Sequence, residues 1–440
     1  MNMIDNIPLL RDRIALALDL ARAAGATAEV GVYQDQGMVA SVRQGTVDKV
    51  EFTRNNGFSI TVYREQRRGH ASSTDFSENA IRQTVGAALD IARYTAADPC
   101  SGLADAEQMA REIPDLDLYH PRALDPQQAI VMAQQCEAAG LAQPHIQNSD
   151  GATVASVESI RGYGNSHGLV VVYPQTRHAA SCALIAERDG QMERGGWGFS
   201  HRNAAMLPPL EQIGSTAAAR AARRLGGHPI ATCTVPVLFA AEIAGGLLGH
   251  FIGAISGSNL YRHATFLEGA LHSRIFPDWM TISEYPRLPG EIGSAPVDGD
   301  GLPTAEKAFV QNGVLDSYVL GTYAARKLGL QSTANAGGVR NLRCSATHSR
   351  QALLRMMDRG LLITDLMGQG VNLVSGHYSR GAAGFWVEGG EIQHPVAEIT
   401  IAGNLKDMFA SMRGAGTDID ARGNIQIGSI LLADMKVGGK

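Results

Sequence analysis

The 440-residue chain contains no stretch approaching the roughly 20 consecutive apolar residues of a membrane span, so neither an anchor nor a membrane partner is expected. Cysteine is scarce as well. Cys100, Cys136, Cys182, Cys233 and Cys344 are odd in number, scattered and free of any CxxC pair, which argues against a disulfide framework and a cysteine zinc site and leaves them as small buried hydrophobes. Positive charge is not in excess either: the net charge of −5 gives no overall attraction to nucleic acid or anionic lipid, and no nucleic-acid partner is expected. The densest basic runs, 64–68 and 220–224, are short, and the second falls on a predicted helix, where a solvated face is expected. At the start, residues 7–25 set Leu10, Ile14, Ala17 and Ala21 at helical spacing among Arg11, Asp12, Arg13, Asp19 and Arg22. Such charges exclude a signal-peptide core, and cytoplasmic residence is the expectation.

Several catalytic signatures are missing too. Gly253 to Gly257 places its serine one position too late for a nucleophile elbow, Gly162-Tyr163-Gly164 does not continue as a dinucleotide fingerprint, and there is no P-loop. Asp298-Gly299-Asp300-Gly301 begins like a calcium loop, but Leu302 and Phe309 fall where oxygen donors would be needed. A tight turn is the expected reading.

What the chain has in quantity is glycine, 50 residues, and a composition that is 45% hydrophobic and 18% charged, that of a globular α+β protein rich in turns. Its length predicts two or more domains. An N-terminal α+β domain, 1–228, carries a repeated helix-strands-helix unit over 1–95 and 122–226. In the first unit, helices over 7–25 and 78–94 flank strands at 28–33, 38–42, 49–54 and 58–63, with Asn55-Asn56-Gly57 as a hairpin turn. In the second, helices over 126–139 and 209–225 flank strands at 153–157, 169–173 and 179–186. Val39-Ala40-Ser41-Val42 and Val154-Ala155-Ser156-Val157 occupy similar places in the two. After the Gly-Gly-His-Pro break at 226–229, a strand- and glycine-rich C-terminal domain, 229–440, is expected. It has a strand at 234–239, a helix from 241 to about 249, short helices at 351–359 and 405–413, and a strand pair at 392–401 bent at Pro395.

Four segments of this second domain, 253–259 (GAISGSN), 296–303 (PVDGDGLP), 366–372 (LMGQGVN) and above all 375–404 (SGHYSRGAAGFWVEGGEIQHPVAEITIAGN), make nearly the whole chain resemble the PmbA/TldE and TldD family. Its members were once described as modulators of DNA gyrase and are now read as paired peptidase subunits. Two positions depart from the pattern: His377 stands for an aspartate and Ala334 for a glycine. The resemblance implies that catalytic members hold zinc through His-Glu-x-x-x-His and a late cysteine, the glutamate acting as base. Here that run reads Ala-Glu-Ile-Ala-Gly-Gly over 241–246, and 414–424 has no cysteine. Ala241 and Gly246 are thus degenerate ligand positions, Glu242 is the remnant of the base, and no metal is expected in this chain. His250 is expected to be a helix-end or core residue, and His263 and His272 to be structural.

The missing ligands place the chain on the PmbA/TldE side. The resemblance then implies a metal-free subunit that pairs with a zinc-bearing TldD-like paralogue and presents unfolded peptides to it, in peptide-precursor maturation and the degradation of small unstable proteins. Tyr378, Ser379, Arg380, Gly381 and Gly384 are the peptide-channel candidates, on the expectation that a peptide adds a strand to an exposed sheet edge there. A core segment with Phe385 and Trp386 turned inward is the competing reading. Two other functions stay open: a non-enzymatic, protein-binding regulator, and an active homodimeric peptidase with an atypical metal site.

Overall fold

The computed structural model describes residues 3–440. The first part of the chain folds as α1 (Ile7–Ala23), β1 (Thr27–Arg43), β2 (Thr46–Arg64), β3 (Arg67–Ser73) and α2 (Glu78–Tyr94), and the same order follows in α3 (Pro126–Leu141), β4 (Ile146–Asn165), β5 (Val170–Arg188), β6 (Gln191–His201) and α4 (Leu210–Ala222). All six strands form one sheet in the order β3-β2-β1-β4-β5-β6, so β1 and β4 join the two units at its centre. Strand side chains alternate. Ala28, Val30 and Val32 of β1 bury against α1 and α2, while Val42 of β1 and Val154 of β4 bury against α3 and α4, which leaves the opposite face without helices.

The strands are longer and fewer than the sequence predicts. Asn55, Asn56 and Gly57 are not a turn; they pair with Asp35, Gln34 and Tyr33 inside β2. The hairpin turns instead at Gln44 and Gly45, both at positive φ. Gly57 serves another need: a Cβ there would lie 2.1 Å from the Tyr33 ring, which covers the strand at that point. Residues 169–173 and 179–186 likewise fuse into β5, and β3 and β6 are additional strands. The two Val-Ala-Ser-Val runs are not in corresponding places, because the first ends just before the β1 turn while the second lies in the middle of β4. They meet across the sheet, with Val39 opposite Ala155 and Ala40 opposite Val154.

The second part comprises β7 (Cys233–Phe239), α5 (Ala241–Ala254), α6 (Gly257–Leu260), β8 (Ile282–Glu284), β9 (Lys307–Gln311), β10 (Val314–Leu315), α7 (Thr322–Leu328), β11 (Leu342–Cys344), α8 (Arg350–Met357), β12 (Gly360–Met367), β13 (His377–Glu388), β14 (Glu391–Asn404), α9 (Leu405–Ala410), β15 (Met412–Ala415), β16 (Ile425–Gln426) and β17 (Ile430–Gly438). Strands β14-β13-β12-β7-β17 close on themselves through a β14–β17 pairing, with β15 added to β17, and a small sheet β10-β9-β8-β11-β16 stands beside this ring. Val237 and Phe239 of β7 face α5, and Leu238 faces α8, the alternation of a strand buried on both sides.

Three local expectations change here. Helix α5 continues past Gly249 because Phe251 and Ala254 extend its buried side, so His250 lies within it. Helix α9 stops at Ala410, and the chain returns as β15. Residues 391–404 are one strand, with Pro395 opposite Phe385 and irregularities in register to either side. Among the described residues no helix is long and apolar enough to cross a membrane.

Candidate functional site at the start of α5

Helix α5 begins directly after β7 with no side-chain cap. Its first free N–H, at Ala241, donates to Ser429 Oγ at 3.1 Å, and that hydroxyl donates in turn to Asp418 Oδ2 at 2.6 Å. The fold thus brings Ala241 next to the 414–424 segment, as a site assembled from both would require. The donors are missing all the same. Ala241 has only a methyl group, a Cβ on Gly246 would meet open space, and Asp418 is already bound by the hydroxyl and N–H of Ser429. No cluster of three or more His, Cys, Asp or Glu side chains suited to a metal ion occurs among the described residues. A three-ligand zinc site does not fit these residues.

Glu242 is present but engaged. Its Oε1 accepts a 2.6 Å hydrogen bond from Arg220 Nη1 of α4, with Arg223 at 3.7 Å, and its side chain is 11% exposed. Burial presses its pKa upward, but the bond from Arg220, a hydrogen bond from its own backbone N–H and the charges of Arg220 and Arg350 together outweigh that and hold it below the ordinary glutamate value. A carboxylate so held is a poor proton acceptor. Nearby, Arg422 grips Asp420 through two bonds of 2.8 and 2.6 Å and lies 3.8 Å from the Trp197 ring centre, with Arg220 also over that ring at 5.2 Å. Arg224 bridges Glu193 at 3.2 Å and Asp365 at 3.3 Å.

The basic run at 220–224 is therefore no solvated face. Arg220 in the last turn of α4, Arg223 at its C-cap and Arg224 just beyond all point into the junction between the two parts of the chain. Sequence reasoning missed this cluster, although the spacing and the adjoining Gly-Gly-His-Pro break were both visible signals.

The channel candidates separate. Tyr378 is buried, edge-on to Phe239 at 6.5 Å and to His250 at 6.0 Å between ring centres, and burial pushes its phenol up to about 12. His250, half-buried on α5 against Tyr378, is held below its ordinary pKa by burial and by the charge of Arg380. Gly384 is enclosed: a Cβ would come 2.0 Å from the Leu362 carbonyl oxygen. Phe385 is buried, and Trp386 is half-buried beneath Arg359. β13 pairs with β14 on one side, and on the other with β12 from Gly381 onward and with residues 370–372 at its start, where Ser379 N–H donates to the Gly370 carbonyl at 2.7 Å, so it offers no free edge for an added strand. Ser379, Arg380 and Gly381 remain accessible at least in part, and Gly381 lies opposite Met367 of β12.

The resemblance-bearing turns are structural. Asp298 accepts N–H bonds from Asp300, Leu302 and Ala336 at 2.9, 2.9 and 3.0 Å, so Asp-Gly-Asp-Gly is a tight turn, and Tyr163 of β4 donates to the Asp300 carbonyl at 3.0 Å. Ala334, at φ 55, adopts the left-handed conformation that glycine takes without strain. Exposed His377 contacts Ser375.

Comparison with known proteins agrees with this architecture. Models of the PmbA/TldA metallopeptidase family match as domain 1 over 28–92, the central domain over 119–225 and the C-terminal domain over 232–439. Metalloprotease PmbA of Escherichia coli O157:H7 is 46% identical over 434 residues, which cover 98% of this chain and 96% of that protein. The chain belongs to the PmbA/TldE family. In fold it is similar to a proposed modulator of DNA gyrase from Bacteroides thetaiotaomicron, with a TM-score of 0.92 at 24% identity, covering 98% of this chain and 99% of that one. TldE from Thermococcus kodakarensis aligns with a TM-score of 0.82 at 18% identity over 98% of this chain and all of that one, 100%.

Proposed function

We propose that this chain is the metal-free, cytoplasmic subunit of a TldD/TldE-type metallopeptidase, binding unfolded or small peptides and helping to present them to a zinc-bearing TldD-like partner. Such a partner would serve peptide-precursor maturation and the degradation of small unstable proteins. The observation that carries the reading is Glu242: the one retained member of the metal-binding run is bound to Arg220, next to two positions without side-chain donors. An arginine pair in that place repels a metal cation and withdraws the base. Zinc in the partner would supply the activated water. This chain's own part is to bind and orient the peptide, for which Ser379, Arg380 and Gly381 are the remaining wall residues. The name TldE of a structural neighbour supports the pairing.

Elemental analysis and peptide hydrolysis test this, on the chain alone and mixed with a TldD-like paralogue. We expect well under one zinc per chain and turnover only in the mixture. About one zinc held by this chain's side chains, or hydrolysis by the chain alone, would overturn it. Arg380→Ala and Gly381→Val are expected to slow turnover in the mixture without loss of folding, whereas Gly384→Val disrupts the β12–β13 pairing and does not probe a channel.

A further inference from the structure

Between α4, β6 and β12 lies a cavity of about 300 Å³ lined by Arg194, Arg220, Arg223 and Arg224 together with Glu193 and Asp365, with Leu366 and Met367 along one wall. Three of these arginines have close carboxylate partners: Arg194 bonds Asp150 at 2.7 Å, Arg220 bonds Glu242 at 2.6 Å, and Arg224 bridges Glu193 and Asp365. Arg223 does not. Its nearest acidic oxygen is Glu242 Oε1 at 3.7 Å, the atom already taken by Arg220. Its guanidinium lies over the Phe385 ring at 5.4 Å, and its side chain is 38% exposed. Stacking fixes the plane of a guanidinium and leaves its edge donors in a fork that matches a carboxylate. Burial and the charges of Arg220 and Arg350 lower the pKa of Arg223 by more than Glu242 and Asp365 raise it, so these two carboxylates only partly compensate its charge. Met367 is 50% exposed, an apolar surface beside a cationic floor. The cavity is at the small end of ligand-pocket volumes, suited to the end of a chain.

We propose that this cavity is a carboxylate pocket that receives the free C-terminus of a peptide, with Arg223 binding the carboxylate and Leu366 and Met367 seating an apolar last side chain. The proposal rests on the peptide-presenting reading and gives it a polarity: the pocket adjoins Gly381 through Met367, so the candidate wall on β13 leads to it.

The test uses a labelled pentapeptide ending in leucine, prepared as free acid, as C-terminal amide, and as an amide with an internal glutamate, with binding to the full chain read by fluorescence anisotropy. The free acid is expected to bind about tenfold more tightly than either amide. Arg223→Ala should remove that difference and leave amide binding unchanged, with Arg223→Lys intermediate. Inorganic phosphate should compete only weakly. Should Arg223→Ala fail to fold, Met367→Glu, which sets a like charge at the lip, should abolish the preference for the acid. Equal binding of acid and amide overturns the pocket and leaves the peptide-presenting reading standing, as does a preference that survives Arg223→Ala. An internal-glutamate amide that binds like the acid would make this a side-chain site, and phosphate competing as strongly as the acid would make it a general anion site; either result overturns the C-terminal assignment. Absence of binding by any peptide, to the chain alone or to its mixture with the paralogue, overturns both.

Discussion

Two of the places where the two parts of the chain meet have opposite electrostatics. At the start of α5, Glu242 is buried against arginines of α4 and held below its ordinary pKa. At the other place, Glu29 of β1 accepts hydrogen bonds from Tyr63 at 2.8 Å and Tyr163 at 3.3 Å, and Tyr163 also reaches the Asp300 carbonyl. No arginine or lysine makes an ion pair with Glu29 among the described residues. Burial, only partly offset by the bond from Tyr63 and reinforced by the charge of Asp300, raises its pKa. The same residue type at two junctions thus stabilises the fold at one and costs it at the other, because a full positive charge compensates lost hydration where a phenol does not.

Removing the compensation is expected to have the largest effect. Arg220→Ala leaves Glu242 buried beside a more distant Arg223 and should destabilise the protein by about 3 kcal/mol in denaturant unfolding; a loss below about 1 kcal/mol would show that the pair does not hold the junction. Glu242→Gln removes the charge and keeps the shape, and should cost about 1 to 2 kcal/mol at pH 7. Its folded pKa is depressed, so this stabilisation is complete above the unfolded value near 4.5 and disappears as pH falls through the lower folded value. The variant and the parent should therefore converge in acid.

Glu29→Gln should act in the opposite direction. A raised folded pKa means that the ionised form costs stability, a cost that sets in as pH rises above about 4.5, so the variant should gain on the order of 1 kcal/mol or less at pH 7 and nothing in acid. A loss at neutral pH would break the comparison. The smallest effect is expected at Ala334, which packs near Leu169 and Leu302 at this second junction. Ala334→Gly relieves a left-handed alanine and should gain about 0.5 to 1 kcal/mol, measurable as a small rise in the denaturation midpoint with an unchanged slope.

The helices were legible because their apolar spacing and caps are local. Ser77 and Asp125 cap α2 and α3 through their own side chains, and both helices begin where the pattern places them. That Ala241 and Gly246 offer no side-chain ligand was legible for the same reason: they lack donor atoms in any conformation. What misled was glycine and asparagine read as turn signals. Asn55-Asn56-Gly57 continues as strand because Tyr33, 22 to 24 residues earlier in the sequence, lies over Gly57, and nothing local records that. In the same way Gly384 reads as an opening but is a close approach of β13 to β12.

The sequence by itself determined the α+β class, the strand-rich second half and the lack of side-chain donors at Ala241 and Gly246, since these depend on composition, short-range periodicity and the atoms each side chain carries. The tertiary structure alone decided that Glu242 meets Arg220, that β13 is closed on both edges, and that Arg223, at the C-cap of α4, has only the more distant contact with Glu242. Each of these depends on which distant segments share a small volume, and the charge of a buried group is set by that volume, not by its neighbours in the chain.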